Sequence, residues 1–224
     1  MSHHISLIIL VKNEEKTIET VICGARPFVD EIVVVDGHSK DLSRKIALQA
    51  GARVIMDNGK GKGAGLRKGI GQSTGDVIVF MDADGSHDFL DIPRLIDPII
   101  KNKADVVIAS RALGGSDESY GSIEKAIRTI GSLIITSIIN MRFHSHIKDS
   151  QNGFRAVKRS SLRSIRLTES IFTIEQEMVI KALKKGLRIV EVASHEYERK
   201  YGNSHINLFV VSWRYLWCLF RNII

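Results

Sequence analysis

The stretch Val77-Ile78-Val79-Phe80-Met81-Asp82-Ala83-Asp84 decides how the rest of the chain is read. Five consecutive apolar residues, with Gly75-Asp76 before them and Asp82 after, describe a strand buried on both faces, as in a parallel sheet. Ligands of open α/β sheets bind at the carboxyl ends of such strands, and this end carries two carboxylates spaced i, i+2. Gly85 lets the backbone turn directly after them, so both can face one hard divalent cation holding a diphosphate. An Asp-x-Asp pair on its own is ordinarily a solvated strand-end turn, so the surrounding chain has to decide between the two readings.

Upstream, Ile5 to Val11 predicts a buried strand, followed by Lys12-Asn13-Glu14-Glu15-Lys16 and an amphipathic helix carrying Ile18, Val21 and Ile22. Glu31 to Asp36 predicts a second strand, ending on Asp36-Gly37-His38-Ser39-Lys40-Asp41 before a helix from Leu42 to Ala50. A short strand, Arg53 to Met56, leads into the loop Asp57-Asn58-Gly59-Lys60-Gly61-Lys62-Gly63-Ala64-Gly65 and a helix through Gly71. That loop has neither Gly-x-Gly-x-x-Gly nor P-loop spacing, so it reads equally as a flexible basic loop or a phosphate contact. Downstream, Ile92-Pro93 opens a helix to Lys101, and the strand Ala104 to Ser110 delivers Arg111 to the same edge as the Asp pair. So regular an alternation of strand and helix predicts a single-domain α/β fold, a Rossmann-like and mostly parallel sheet flanked by helices.

The stretch Ser122 to Phe143 is helical in pattern, with an uncharged run from Thr129 to Met141 that is too short to span a bilayer. It suits a buried core helix or one lying in a membrane interface. After Lys148-Asp149-Ser150-Gln151-Asn152-Gly153-Phe154-Arg155 come a helix from Ile174 to Gly186 and a strand from Leu187 to Val192. The last stretch, Leu208 to Ile224, carries Trp213, Tyr215, Trp217 and Phe220 but is broken by Arg214 and Arg221. Such a segment is either an interfacial helix or one docked on the body, and it divides the chain into a domain over residues 1–207 and an appendage over 208–224.

Composition agrees with one soluble domain: 224 residues, 44% hydrophobic and 25% charged, are enough for a full α/β core. The net charge of +7 calls for an anionic partner: nucleic acid, a phosphorylated substrate or an anionic membrane surface. No basic stripe interleaved with aromatics runs through the body, which argues against nucleic acid. Cys23 and Cys218 have no metal-ligand spacing and read as free thiols in a reducing compartment. The start, Met1-Ser2-His3-His4-Ile5, lacks the regions of a signal peptide, so a cytoplasmic location is expected.

Taken in order, these blocks resemble the inverting GT-A glycosyltransferases, glycosyltransferase family 2, and within it the dolichyl-phosphate or polyprenyl-phosphate mannosyltransferase branch. The resemblance rests on Leu10 to Glu15, Val34 to Asp41, Gly61 to Ala64, Met81 to His87, Ser110-Arg111, Asp149 to Arg155, and Arg199-Lys200-Tyr201-Gly202-Asn203-Ser204-His205. It implies a nucleotide-sugar site formed by Leu10, Lys12, Glu14, Val35, Asp36, Lys62 and Ala83. It also implies that Asp82 and Asp84 bind Mg2+ or Mn2+, with Ser86 as a third metal position. Arg111, Arg199 and His205 fall where the family has contacts to phosphates, and Arg128 is a further candidate for the lipid phosphate. The implied donor is GDP-mannose, with a UDP-hexose such as UDP-glucose as alternative; the implied acceptor is a polyprenyl or dolichyl phosphate at the cytoplasmic membrane face. A saccharide acceptor would need a general base such as Asp149, whereas a lipid phosphate is already anionic and needs none. The resemblance leaves room for a small membrane subunit, and a nucleotide-binding module without catalysis is the reading from another class.

Four positions depart from the family pattern. Leu10 and Lys12 replace the usual Pro and Tyr, Gly37 replaces a second Asp, and His205 replaces a closing Lys. The missing carboxylate at Gly37 predicts relaxed base recognition, so that UDP-sugars compete with GDP-sugars.

Overall fold

The computed structural model describes residues 3–117, 123–199, 201 and 208–224. Seven strands form one sheet: β1 (Ile5–Val11), β2 (Glu31–Asp36), β3 (Arg53–Met56), β4 (Val77–Asp82), β5 (Val106–Ser110), β6 (Arg155–Lys158) and β7 (Ile189–Ala193). Their order is β3-β2-β1-β4-β6-β5-β7. All pairings are parallel except those of β6, which runs antiparallel to both β4 and β5. Sequence reasoning missed β6, a four-residue strand separated by Phe154 alone from the polar turn Ser150-Gln151-Asn152-Gly153.

The central strands β1, β2, β4 and β5 are rich in Val and Ile and almost wholly buried, which suits strands covered on both faces. Side chains alternate between two cores. On one face Leu7, Ile9, Val34, Val79 and Val107 pack with residues of α1 (Ile18–Ala25), α2 (Ser43–Gln49) and α4 (Ile92–Ile100). On the other, Ile8, Val33, Val35, Ile78, Phe80 and Ile108 pack with α3 (Lys62–Gln72) and, further along the chain, with α6 (Ile123–Phe143) and α8 (Ile174–Lys184). Two short helices complete the body, α5 (Arg111–Gly114) and α7 (Arg159–Ser164). Each fully buried Ile or Leu contributes about 1.5–3 kcal/mol relative to exposure. The helices obey end rules: Pro93 stands in the first turn of α4, while α8 has Glu175 and Glu177 in its first turn and Lys181 and Lys184 in its last.

The glycine-rich stretch is corrected by the structure. Gly63, Ala64 and Gly65 are not loop; α3 already begins at Lys62. A Cβ on Gly63 would lie 2.5 Å from the Glu169 carbonyl oxygen, and one on Gly69 would lie 2.7 Å from Ile8 Cγ2. These glycines let α3 lie close on the sheet and on the 169–171 segment, a packing role rather than flexibility.

The final helix, α9 (Leu208–Ile223), docks by one face. Cys218 and Leu219 are buried, and the Gln176 amide donates to the Tyr215 carbonyl at 3.1 Å. Its other face, with Trp213, Leu216, Trp217 and Phe220, is exposed, as are Ile127, Ile130, Leu133, Ile134 and Met141 of the adjoining α6. Among the described residues no helix is long and apolar enough to cross a membrane. Both cysteines are free, Cys23 exposed and Cys218 buried.

Candidate active site

The register of three parallel strands aligns the first group of residues. Val35 pairs with Leu10, and Leu10 with Asp82, so an apolar row crosses the carboxyl ends of β2 and β1 and ends on a carboxylate at β4. Beyond Asp82, Gly85 adopts φ 77°, and Asp84 Oδ1 accepts from the Ser86 amide at 3.1 Å and the Ser86 hydroxyl at 2.7 Å. Ser86 therefore orients Asp84. Ala83 is buried, and its carbonyl accepts from Thr17 Oγ1 at 2.7 Å, which ties the turn to the start of α1.

Each carboxylate of the pair has a cation beside it. Lys62 Nζ lies 2.9 Å from Asp82 Oδ2 and 3.0 Å from Glu175 Oε1, and Arg199 Nη2 donates to Asp84 Oδ2 at 2.8 Å. Arg199 also reaches Glu14 Oε1 at 3.3 Å, joining the ends of β1 and β4 to the segment after β7. Tyr201 stands beside that segment under Lys16 Nζ, 4.9 Å from the ring centroid. Burial opposes the charge on Lys62, yet the attraction of Asp82 and Glu175 outweighs it and raises its pKa. Burial likewise opposes ionisation of Asp84, but His87, the Ser86 hydrogen bonds and Arg199 prevail and lower its pKa. Glu14 goes the other way, to about 7, because burial and the nearby Asp84, Asp41 and Asp82 exceed the help from Arg199.

A second cluster forms where β5 ends. Arg111 grips Asp149 through Nε at 2.7 Å and Nη2 at 2.9 Å, and its backbone amide adds a bond at 3.1 Å. Asp149 also accepts from the amides of Gln151 and Asn152, both at 3.2 Å. Burial opposes its ionisation, but Arg111 and these amides lower its pKa. A carboxylate so engaged orders the 149–155 turn and has little capacity left to accept a substrate proton. Arg111 Nη1 faces Glu196 Oε1 at 3.5 Å.

The remaining candidates divide. Asp36 is buried and held by Arg44 at 3.0 Å and the Ser39 amide at 3.1 Å, so it braces the loop after β2. Lys12 is exposed beside Gly37. Arg128 is exposed on α6 with no ion pair among the described residues. His205 lies outside the described residues. Sequence reasoning missed Glu175 and Arg155, both buried, of which Glu175 shares the Lys62 ammonium with Asp82. The Arg155 guanidinium donates to the Asn152 and Glu175 carbonyls, the latter at 3.0 Å. For Glu175 the available signal was three consecutive polar residues, Glu175-Gln176-Glu177, directly ahead of the apolar run Met178-Val179-Ile180.

The donor set suits a hard divalent cation: two carboxylates, already balanced by Lys62 and Arg199, at a cleft edge where Asp82 keeps part of its surface exposed. Among the described residues no group of three or more His, Cys, Asp or Glu side chains is arranged to hold a metal. Substrate phosphate and water would have to complete such a shell, as is usual for Mg2+.

Residues 6–166 match the profile described as Glycosyl transferase family 2. Glycosyltransferase AglJ of Haloferax volcanii is 31% identical over 196 residues, covering 85% of this chain and 62% of that protein. Dolichol-phosphate mannosyltransferase of Pyrococcus furiosus is 31% identical over 198 residues, covering 84% of this chain and 55% of its own length. The chain thus spans less than two thirds of either relative. In fold it is similar to glucosyl-3-phosphoglycerate synthase from Mycobacterium tuberculosis, with a TM-score of 0.79 at 23% identity over 99% of this chain and 80% of that one. That structure was crystallised with Mn2+, uridine diphosphate and glucosyl-3-phosphoglycerate.

Proposed function

The chain belongs to glycosyltransferase family 2, and we propose that it moves a hexose from a nucleoside diphosphate onto a polyprenyl phosphate at a membrane surface, inverting the anomeric carbon. The observation that carries this reading is the row Val35–Leu10–Asp82, which leads along the carboxyl ends of three parallel strands to two carboxylates with Lys62 and Arg199 beside them. A nucleoside lies along the row and its diphosphate over the carboxylates. Mg2+ or Mn2+ held by Asp82 and Asp84 would supply Lewis-acid neutralisation of the departing diphosphate. Lys62 and Arg199 add positive charge to the same group, and the ordered 149–155 turn positions the sugar. The engaged state of Asp149 favours an acceptor that is already anionic over a saccharide hydroxyl. Arg128, on a helix whose exposed face is apolar, is suited to meet a lipid phosphate. Mannose from GDP-mannose is the first donor, in keeping with the Pyrococcus furiosus relative's name, and a UDP-hexose is the second.

Asp82→Asn and Asp84→Asn test this directly. Each should lower metal-dependent turnover of the nucleotide sugar by about 100-fold or more, since even outer-shell losses at metal sites cost about 10–100-fold. Thermal midpoints should stay close to that of the parent, because asparagine keeps the shape of each side chain and an oxygen that can accept from the same donors. Unchanged metal-dependent turnover in both variants removes the site assignment. Tight donor binding without any turnover would instead favour the non-catalytic module.

A further inference from the structure

Asp57 is a carboxylate that the site described above does not use. It follows β3, and its backbone amide donates to the Asp36 carbonyl at 2.9 Å, which fixes it beside the end of β2. Its side chain is only 9% exposed. Oδ1 is occupied, accepting from the Gly59 amide at 2.8 Å and lying 3.1 Å from His38 Nε2. Among the described residues nothing donates to Oδ2. That oxygen lies 3.8 Å from the point a Cβ on Gly37 would occupy, and a Cβ on Gly65 would meet Asp57 Cβ, Leu10 and Val35 at 3.5 Å each. Asp57 therefore borders the same apolar row that leads to Asp82, at the end far from the diphosphate.

Resting on the nucleotide-sugar reading, we propose that Asp57 is the nucleobase-selecting residue, its Oδ2 accepting a ring N–H from the base seated against Leu10, the partly exposed member of the row. An oxygen to which no protein group donates keeps its lone pairs for a ligand N–H, whose hydrogen bond to a charged acceptor is among the stronger ones. Uracil and guanine carry a hydrogen on the ring nitrogen of their pairing edge; cytosine and adenine carry a lone pair there, which a carboxylate oxygen repels. Lacking a side chain at Gly37, the chain takes its acceptor from the neighbouring strand. The selection is for the ring N–H and thus admits both UDP and GDP.

Calorimetry of the whole chain with UDP, GDP, CDP and ADP in the presence of Mn2+ tests this. The expected result is binding of UDP, GDP or both at least about 10-fold tighter than CDP and ADP, the scale of one desolvated hydrogen bond, and the first two arms show which base is taken. In Asp57→Asn the Gly59 amide retains the side-chain oxygen, so the new NH2 faces the base. The preference for UDP over CDP, or for GDP over ADP, should then shrink about 10-fold or reverse. Asp57→Ser, with no charge, should bind the favoured and disfavoured diphosphates nearly alike. Equal binding of all four by the parent chain, or an unchanged preference in both variants, overturns the role of Asp57 and leaves the donor reading intact. Failure of all four to bind overturns both.

Discussion

At the residue scale, what a side chain does here depends on how many of its lone pairs and protons are already committed. Asp149 and Asp84 are both acidic residues at the sheet edge, yet the first is saturated by Arg111 and amides, while the second is oriented by Ser86 and keeps one oxygen for Arg199. The same accounting applies away from the site. Glu31, at the start of β2, is partly buried, but hydrogen bonds from the Ser6 hydroxyl, the Thr74 backbone and Arg53 outweigh that burial and lower its pKa from 4.5 to about 2. A carboxylate whose folded pKa is depressed stabilises the fold above its unfolded pKa, and the stabilisation is lost as pH falls through the folded value. Glu31→Gln should therefore lower the thermal midpoint at pH 7, and the gap to the parent should close between about pH 4.5 and about pH 2. Melting curves across that range check it; a gap that stays constant would mean the charge on Glu31 does not contribute. Asp82 and Asp84 were legible because a chain-local pattern, apolar run then Asp-x-Asp, carries their meaning. Glu175 and Asp57 were not, since their importance comes from neighbours 113 and 20 positions away, Lys62 and Gly37.

At the scale of elements, the parallel strands were readable from their unbroken Val and Ile runs, and their bounds agree within a residue or two. β6 was not, because four residues after a polar turn give no period, and only pairing with β4 and β5 makes them a strand. The start of α3 was misread for a different reason: glycine reports both flexibility and close approach, and Gly63 serves the second. For α9 the docked reading is seen on one face, through Cys218 and Leu219, while the other face is exposed with Trp213, Trp217 and Phe220. An exposed apolar face of this size, continued by α6, fits insertion at a lipid interface. The double variant Trp217→Glu, Phe220→Glu should keep the parent's thermal midpoint, because both side chains are exposed. In sedimentation with anionic phospholipid vesicles it should lose most of the bound fraction. Equal vesicle binding by parent and variant would leave α9 a structural helix alone.

At the scale of the whole molecule, topology gathers the site. Strand order reverses direction of travel at β1, with β2 and β3 on one side and β4 on the other, and the cleft at that switch point receives Glu14, Asp36, Asp82 and Asp84 from three adjacent strand ends. β7 then brings Arg199 back from the far edge to close the charge balance. The alternation of strands and helices made this architecture legible, whereas the meeting of Arg199 with Glu14 across 185 positions could come only from the folded chain. The net charge of +7 suits a protein that handles a diphosphate and a phosphorylated lipid together. The most direct measurement incubates the purified chain with labelled GDP-mannose and UDP-glucose, Mn2+ and a short polyprenyl phosphate, then partitions the mixture between water and organic solvent. The expected result is metal-dependent passage of one labelled sugar into the organic phase, in the anomeric configuration opposite to that of the donor. Label that stays wholly in water, or that moves only onto a soluble saccharide, would contradict it.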